Sequence, residues 1–198
     1  MSSISLAPLL LFVSVATITP GAGNTLATTS GARFGFRRSI PLITGLAAGL
    51  GTLAAASAAG LAGLLLAAPF LQTGMKTLGS VYLIWLAWQI GRRGAPSQGS
   101  GSVGPTSVFG AACLLWINPK GWAMTLGAAA SFAMLASGPA QLAVLLGATF
   151  AISATLSLCF WCVAGSLLSR KLRTDRHWRV FNMTMAVLLV VSVVPMWR

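Results

Sequence analysis

Residues 18–24 read Ile-Thr-Pro-Gly-Ala-Gly-Asn, and residues 117–122 read Ile-Asn-Pro-Lys-Gly-Trp. Pro20 and Pro119 are 99 positions apart in a chain of 198 residues, so each half interrupts its first apolar segment in the same way. Proline removes a helix donor and clashes with the preceding turn, and glycine lets the backbone leave the helix. Both segments are therefore predicted to be helices broken at membrane depth. Irregular backbone is tolerated there only around a cavity, as at the substrate sites between the repeats of many secondary carriers.

The composition is that of an integral membrane protein, with 56% hydrophobic residues, 7% charged residues and a mean hydropathy of +0.85. Six apolar stretches come near or above the ~20 residues that a helix needs to cross hydrocarbon. They lie at about 4–32, 40–67, 70–91, 106–134, 139–168 and 179–197. The first stretch is retained as a span and not a signal peptide, because no basic residue precedes Arg33 and no small-residue cleavage site closes it. The predicted fold is an all-α membrane protein of six transmembrane helices.

The basic residues are distributed unevenly between the predicted loops. The loops after the first, third and fifth spans hold Arg33, Arg37, Arg38, Arg92, Arg93, Arg170, Lys171, Arg173, Arg176 and Arg179. The opposite side receives only Lys76 and Arg198. The positive-inside rule places the basic loops in the cytoplasm and both termini on the periplasmic or extracellular side. The net charge of +12 thus reflects a bilayer topology and not nucleic-acid binding.

Three spans reverse the direction of the chain across the membrane, so the two halves are predicted to be inverted three-helix repeats whose first helices are broken. The first repeat covers 1–96, a flexible Gly/Ser linker on the cytoplasmic side covers 97–105, and the second repeat covers 106–198. Glycine and alanine dominate the second span, where they let helices approach closely. Such faces serve packing within the chain and contacts in a homodimer equally well, so the oligomeric state stays open.

Lys120 places an ammonium group about midway along the fourth span, beside the second break. A charge at that depth costs roughly 3 kcal/mol or more unless it is relieved. Because no acid lies within any span, an anionic group of a substrate, such as an α-carboxylate, is one partner for it. The alternatives are a lysine that extends to a lipid headgroup, or one that caps carbonyls freed by Pro119.

Polar side chains lie close to both breaks. The amides of Asn24 and Asn118 both donate and accept hydrogen bonds, as does the hydroxyl of Thr19, and such groups suit a zwitterion. They serve equally well to satisfy backbone groups left without partners by a break. The small-molecule site near the membrane midplane is predicted to comprise Thr19, Pro20, Gly21, Asn24, Asn118, Pro119 and Lys120.

These motifs resemble the lysine exporter (LysE/RhtB) family of bacterial amino-acid efflux proteins. Residues 19–21 with Asn24 resemble its Thr-Pro-Gly-Pro-x-Asn signature, and 118–122 its Asn-Pro-Lys-x-Trp element. Residues 30–38 and 79–88 are similar to its first cytoplasmic loop and third span. The resemblance implies export of small amino acids or their derivatives across the bacterial inner membrane, driven by the proton motive force.

Two departures from the family pattern stand out. Ala22 replaces the second proline of the opening signature, and residues 45–53 contain no acid, although many members of the family carry one early in the second span. Asp175 is the only carboxylate and His177 the only histidine, both in the last basic loop. Asp175 is expected to pair with Arg179 or to cap the last helix. Four alternatives are open: the substrate's own ionisable groups carry the proton, Asp175 or His177 serves from the cytoplasmic mouth, the protein is a uniporter, or this relative tolerates neutral residues at the position of the acid.

The sequence Cys159-Phe160-Trp161-Cys162 carries the alternative hypothesis, a transmembrane thiol-disulfide electron carrier. Carriers of that type place cysteines beside both breaks, whereas the position equivalent to Cys113 in the first half is Ser14. Cysteine in a lipid-embedded helix usually behaves as a small apolar residue. Thiols without nearby histidine or carboxylate are poor metal ligands, and no constellation of catalytic side chains can be assembled. No cofactor, metal or enzyme activity is predicted.

Overall fold

The computed structural model describes residues 6–61, 69–92, 106–172, 174–191 and 193–194. Within them lie seven α-helices and no strand: α1 Ala7–Ile18, α2 Ala22–Ala56, α3 Pro69–Gly91, α4 Val108–Trp116, α5 Pro119–Ser131, α6 Pro139–Ser169 and α7 Asp175–Val191. A π-helical turn at Ser57–Leu61 extends α2, and a 3-10 turn at Ala133–Leu135 precedes α6. The all-helical prediction is confirmed for these residues, and the predicted linker 97–105 lies outside them.

Both predicted helix breaks are present. The first separates α1 from α2, and Gly21 within it has an extended backbone with φ −172° and ψ −173°. The second separates α4 from α5, where the side chain of Asn118 caps α5 by accepting a hydrogen bond from the backbone nitrogen of Lys120 at 3.1 Å. Pro119 lies in the first turn of α5, where its missing N–H has no helical partner to lose. At the second break, proline and a capping amide therefore define both where α4 ends and where α5 begins.

The first predicted loop is a turn of a single residue. Within α2 only Gly35 has non-helical angles, with φ 77° and ψ 171°, a left-handed value that glycine adopts without steric cost. The hydroxyl oxygens of Ser30 and Ser39 are 2.7 Å apart. Nine residues of straight helix would separate them by about 13 Å, so the chain folds back sharply at Gly35. The prediction that a loop joins the first two spans is wrong, because helix continues on both sides of Gly35. The cytoplasmic placement of this segment stays a prediction.

Among the residues that the structure describes, two helices are long and apolar enough to cross a membrane, Ala22–Gly60 and Pro139–Ser169. The apolar helices Ala7–Ile18 and Ser80–Gly91 are shorter. The first break accounts for the length of Ala7–Ile18, because it divides what would otherwise be a continuous span. The six-span arrangement therefore stays a prediction. In that arrangement α1 would complete one span with the beginning of α2, and α4 would complete another with α5.

Helices α2 and α6 form the centre of the molecule and approach closely at glycines. A Cβ added at Gly51 would lie 2.9 Å from both the Cβ of Ala151 and the carbonyl oxygen of Gly147. Helix α1 packs on α6, and α4 packs on α2. The short helix before each break therefore contacts the long helix of the opposite half, which brings the two breaks toward one another.

Helices α3 and α7 form a second packed pair. Leu83, Leu86 and Ile90 of α3 belong to one buried cluster with Phe181 and Leu189 of α7. Because this cluster also includes residues of α2, the pair is attached to the flank of the central helices. None of the side chains described for this pair lines the cavity between the breaks.

Helix α7 begins earlier than the predicted last span, at Asp175. The hydroxyl oxygen of Thr174 accepts a hydrogen bond from the backbone nitrogen of His177 at 3.2 Å, so Thr174 and not Asp175 provides the cap. Asp175 lies in the first turn, where a negative charge complements the helix dipole. Its expected pairing with Arg179 is not among the ion pairs of the described residues.

The turn that ends α2 is joined to α5 by a buried hydrogen bond between the hydroxyl groups of Ser57 and Thr125, which are 3.0 Å apart. Thr125→Val is expected to lower the free energy of unfolding by about 1 kcal/mol and the melting temperature by about 2–4 °C, because this interhelical bond is lost. Thr184→Val is the matched control, since that exposed hydroxyl bonds only within its own helix. Equal melting temperatures for the two variants would contradict the prediction.

Candidate transport site

A cavity of about 50 Å³ lies between the two helix breaks. Gly21, Asn24, Asn118 and Lys120, all predicted site residues, contribute to its lining. Most of the remaining lining is apolar. Its volume accommodates only a few water molecules, so the helices around it have to move apart before a free amino acid can enter.

Lys120 joins the two breaks directly. Its Nζ donates a hydrogen bond to the carbonyl oxygen of Thr19 at 2.7 Å and a longer one to that of Pro20 at 3.4 Å. A Cβ at Gly21 would lie 3.1 Å from both Cδ and Nζ of this lysine, so glycine leaves the space in which the side chain lies. One alternative considered from the sequence was that Lys120 caps backbone carbonyls freed by a helix break, and the lysine does bind such carbonyls. The carbonyls, however, belong to the first break and not to Pro119.

Asn24 satisfies the end of α1. Its Nδ2 donates to the carbonyl oxygens of Thr17 at 2.8 Å, Thr19 at 2.9 Å and Ile18 at 3.3 Å. The last carbonyls of any helix have no partner within the helix, and at this break the buried amide supplies one. The structural role considered for Asn24 is therefore realised, and its contact with a substrate stays a prediction.

Asn118 lines the cavity while its side-chain oxygen caps α5. Its amide nitrogen donates no hydrogen bond to any residue that the structure describes, so a donor is left for a ligand. The hydroxyl of Thr19 donates to the carbonyl oxygen of Val15 at 2.6 Å and does not line the cavity. Pro119, in the first turn of α5, is buried and likewise does not line it.

Sequence reasoning missed a set of hydroxyl groups between α1 and α6. The oxygens of Thr17 and Ser153 are 2.8 Å apart, and Ser157 donates to the carbonyl oxygen of Thr17 at 2.8 Å. They line part of a 400 Å³ groove beside the first break. The signal was present in the sequence, because serines four residues apart share one face of a helix.

Two tryptophans flank the second break and pack against each other. The rings of Trp116 and Trp122 meet edge to face with centroids 5.9 Å apart. Each indole nitrogen has an acceptor, since Trp122 donates to the carbonyl oxygen of Trp116 at 2.7 Å and Trp116 donates to the hydroxyl of Thr52 at 3.2 Å. Neither lines the cavity, so they stiffen the break and do not contact its contents.

The cysteines are all free thiols. Cys162 is fully buried, and its sulfur would lie 2.9 Å from a Cβ placed at Gly31 of α2. A buried thiol is poorly placed to exchange with an external disulfide, because the reacting partner needs access to the sulfur. Among the residues described, no group of three or more His, Cys, Asp or Glu side chains is arranged to hold a metal ion.

The sequence pattern of the LysE type translocator family matches residues 14–194. The chain belongs to this family. The match includes both breaks, the cavity and the helices that surround them. Membership makes the protein a membrane transporter and not an enzyme, and it confirms the resemblance inferred from the motifs.

Curated relatives of this translocator include several proteins named "cysteine/O-acetylserine efflux protein". The one from Klebsiella pneumoniae is 29% identical over 186 residues, which cover 93% of both chains. The one from Shigella flexneri is 26% identical over 195 residues and 98% of both, and the one from Escherichia coli K12 is 26% identical over 184 residues and 92% of both. No solved structure matches the chain.

Proposed function

We propose that this translocator exports small amino acids or amino-acid derivatives from the cytoplasm, binding them between the two helix breaks. The observation that carries the proposal is the cation of Lys120, which lies at a cavity formed by both halves of the chain. The relatives support the substrate class, because their names specify efflux of cysteine and O-acetylserine and they align with more than nine-tenths of the chain.

The chemistry of the cavity suits a zwitterion. A substrate carboxylate would accept hydrogen bonds from the ammonium of Lys120 and from the amide nitrogen of Asn118, and charged hydrogen bonds of this kind are short and strong. Asn24 would contribute a further polar contact from the first break. The apolar part of the lining, which includes Leu46 and Leu50, would receive a small side chain.

The transport cycle is proposed to follow alternating access between two inverted repeats of three spans each. The small volume of the cavity supports this view, because entry and exit both require the surrounding helices to separate. The basic loops would face the cytoplasm and both termini the opposite side of the bacterial inner membrane.

Export is proposed to be coupled to the proton motive force, as the family resemblance implies. The sole side-chain carboxylate of the sequence, Asp175, begins α7 and does not line the cavity. The proton is proposed to be carried by the substrate's own ionisable groups, or by Asp175 or His177 at the cytoplasmic mouth. Comparing efflux with and without an imposed pH gradient tests the coupling itself.

The proposed activity is tested in proteoliposomes that contain the purified protein. Efflux of labelled L-cysteine, O-acetyl-L-serine, L-serine and L-lysine is followed with and without a proton gradient, and empty liposomes give the background. We expect efflux of at least one small amino acid that accelerates when the gradient is imposed. No amino-acid flux from folded and inserted protein would contradict the proposal.

The double variant Cys159→Ser/Cys162→Ser is expected to export amino acids at the wild-type rate. Both sulfurs are free, neither lines the cavity, and serine is close to cysteine in size. The measurement is the same efflux assay, together with reduction of an external thiol acceptor. Loss of a cysteine-dependent reducing activity, combined with absent amino-acid flux from wild-type protein, would instead favour the electron-carrier alternative.

A further inference from the structure

We propose that the carbonyl oxygens of Thr19 and Pro20 form the binding site for the substrate's α-ammonium group, and that Lys120 fills this site while the protein is empty. The inference rests on the proposed export function and makes it more specific. It predicts that the substrates are amino acids whose α-amino and α-carboxyl groups are both free.

The carbonyls of the first break are already shown to accept an ammonium group. They lie at the C-terminal end of α1, where unsatisfied carbonyls and the helix dipole concentrate negative charge. The distance of 2.7 Å from Nζ to the oxygen of Thr19 is that of a short charge-assisted hydrogen bond. Neither Thr19 nor Pro20 lines the empty cavity, but both are exposed at the break, so a ligand can approach their carbonyls once Lys120 moves.

The present partners of Lys120 accept hydrogen bonds but carry no formal charge to balance the ammonium. In the described part of the chain they are two neutral carbonyls, and no carboxylate lies within 4 Å of Nζ. A substrate carboxylate is a stronger partner because it carries a full negative charge. It would draw the lysine away from the first break and leave the two carbonyls without an ammonium donor, although the carbonyl of Thr19 keeps its hydrogen bond from Asn24.

The same substrate carries a cation for the vacated carbonyls. After the exchange, its carboxylate bonds to Lys120 and its α-ammonium bonds to Thr19 and Pro20, so no charged group is left without a partner. A ligand with only a carboxylate would leave the carbonyls without an ammonium partner. A ligand with only an ammonium would have to compete with Lys120 for them, since two like charges repel at that distance.

The first test uses thermal melting of the purified protein with four matched ligands. S-methyl-L-cysteine carries both groups, N-acetyl-S-methyl-L-cysteine lacks the ammonium, and S-methyl-L-cysteine methyl ester and 2-(methylthio)ethylamine lack the carboxylate. We expect wild-type protein to be stabilised by S-methyl-L-cysteine, with an apparent Kd at least about tenfold lower than that of any other member of the series. Comparable stabilisation by the N-acetyl compound would overturn the inference.

The second test removes the internal cation. In Lys120→Met the carbonyls of the first break have no ammonium, so 2-(methylthio)ethylamine is expected to bind at least about tenfold more tightly than it binds wild-type protein. The zwitterion should lose affinity in the same variant, because its carboxylate has no cation. This reversal of ligand preference distinguishes a vacated ammonium site from a general loss of structure.

The control for the second test fills the space of the ammonium. A Cβ at Gly21 would lie 3.1 Å from Nζ of Lys120, so a valine side chain there occupies the position of the cation. Lys120→Met/Gly21→Val is expected to lose the gain in amine binding. Equal amine binding by wild-type protein and Lys120→Met, or a gain that survives Gly21→Val, would overturn the inference.

These melting experiments need no transport, so they separate the inference from the proposed function. Absence of amino-acid flux in proteoliposomes would contradict the export proposal alone. Flux that is present, together with identical ligand preferences of wild-type protein and Lys120→Met, would contradict only the assignment of the ammonium site.

Discussion

Lys120→Met is expected to lower the initial rate of amino-acid export at least about tenfold. The variant loses the cation proposed to bind the substrate carboxylate, and a hydrogen bond to a charged group contributes about 1.5–3 kcal/mol. If the transition state for translocation loses that amount of stabilisation, the rate falls roughly ten- to hundredfold. The measurement is initial efflux from proteoliposomes at subsaturating substrate.

Lys171→Met provides the matched control for charge removal. This lysine is exposed after the end of α6 and does not line the cavity, so its replacement changes the net charge without touching either break. We expect its efflux rate to equal that of wild-type protein. Wild-type efflux from Lys120→Met, at equal reconstitution, would remove Lys120 from the proposed mechanism.

The positions of the breaks were predictable because their causes are local. Pro119 and the amide of Asn118 stop and restart a helix through their own backbone and side-chain chemistry, whatever surrounds them. Proline and glycine act in the same way at the first break. A short window of sequence therefore contains all the information that determines where these helices end.

The partner of Lys120 was not predictable by the same reasoning. Its hydrogen bond to Thr19 joins residues 101 positions apart, and it forms because α1 packs on the opposite half. The sequence indicated that an intramembrane ammonium needs relief, but several partners satisfied that requirement. Only the packing of the long helices places the carbonyls of the first break within its reach.

The first predicted loop was wrong for a related reason. Three arginines between two apolar stretches predicted a loop from polarity, yet arginine and phenylalanine fit a helix readily and need no loop conformation. Only Gly35 leaves helical geometry, and its positive φ is enough to reverse the chain. The polar residues therefore indicated correctly where the chain reverses. The length of the non-helical segment, however, depends on packing between the helices on either side, as the contact between Ser30 and Ser39 illustrates.

Gly31→Ala is expected to lower the free energy of unfolding by about 3 kcal/mol, at the upper end of overpacking effects. A Cβ at Gly31 would lie 2.0 Å from the carbonyl oxygen of Cys162, and one at Gly165 would lie 2.0 Å from that of Thr28. The obstructing atoms are backbone on the opposite helix, so a change of side-chain rotamer cannot relieve them. Helices α2 and α6 would have to separate along the contact that positions the first break.

Gly127→Ala is the control for this substitution, because a Cβ at Gly127 on α5 meets nothing within 4 Å. Replacing a helical glycine in open space by alanine stabilises the helix by up to about 1 kcal/mol. The two variants are therefore expected to shift the melting temperature of detergent-purified protein in opposite directions. Identical melting temperatures would mean that α2 and α6 are not in contact at Gly31, and that the first break is held in place by other interactions.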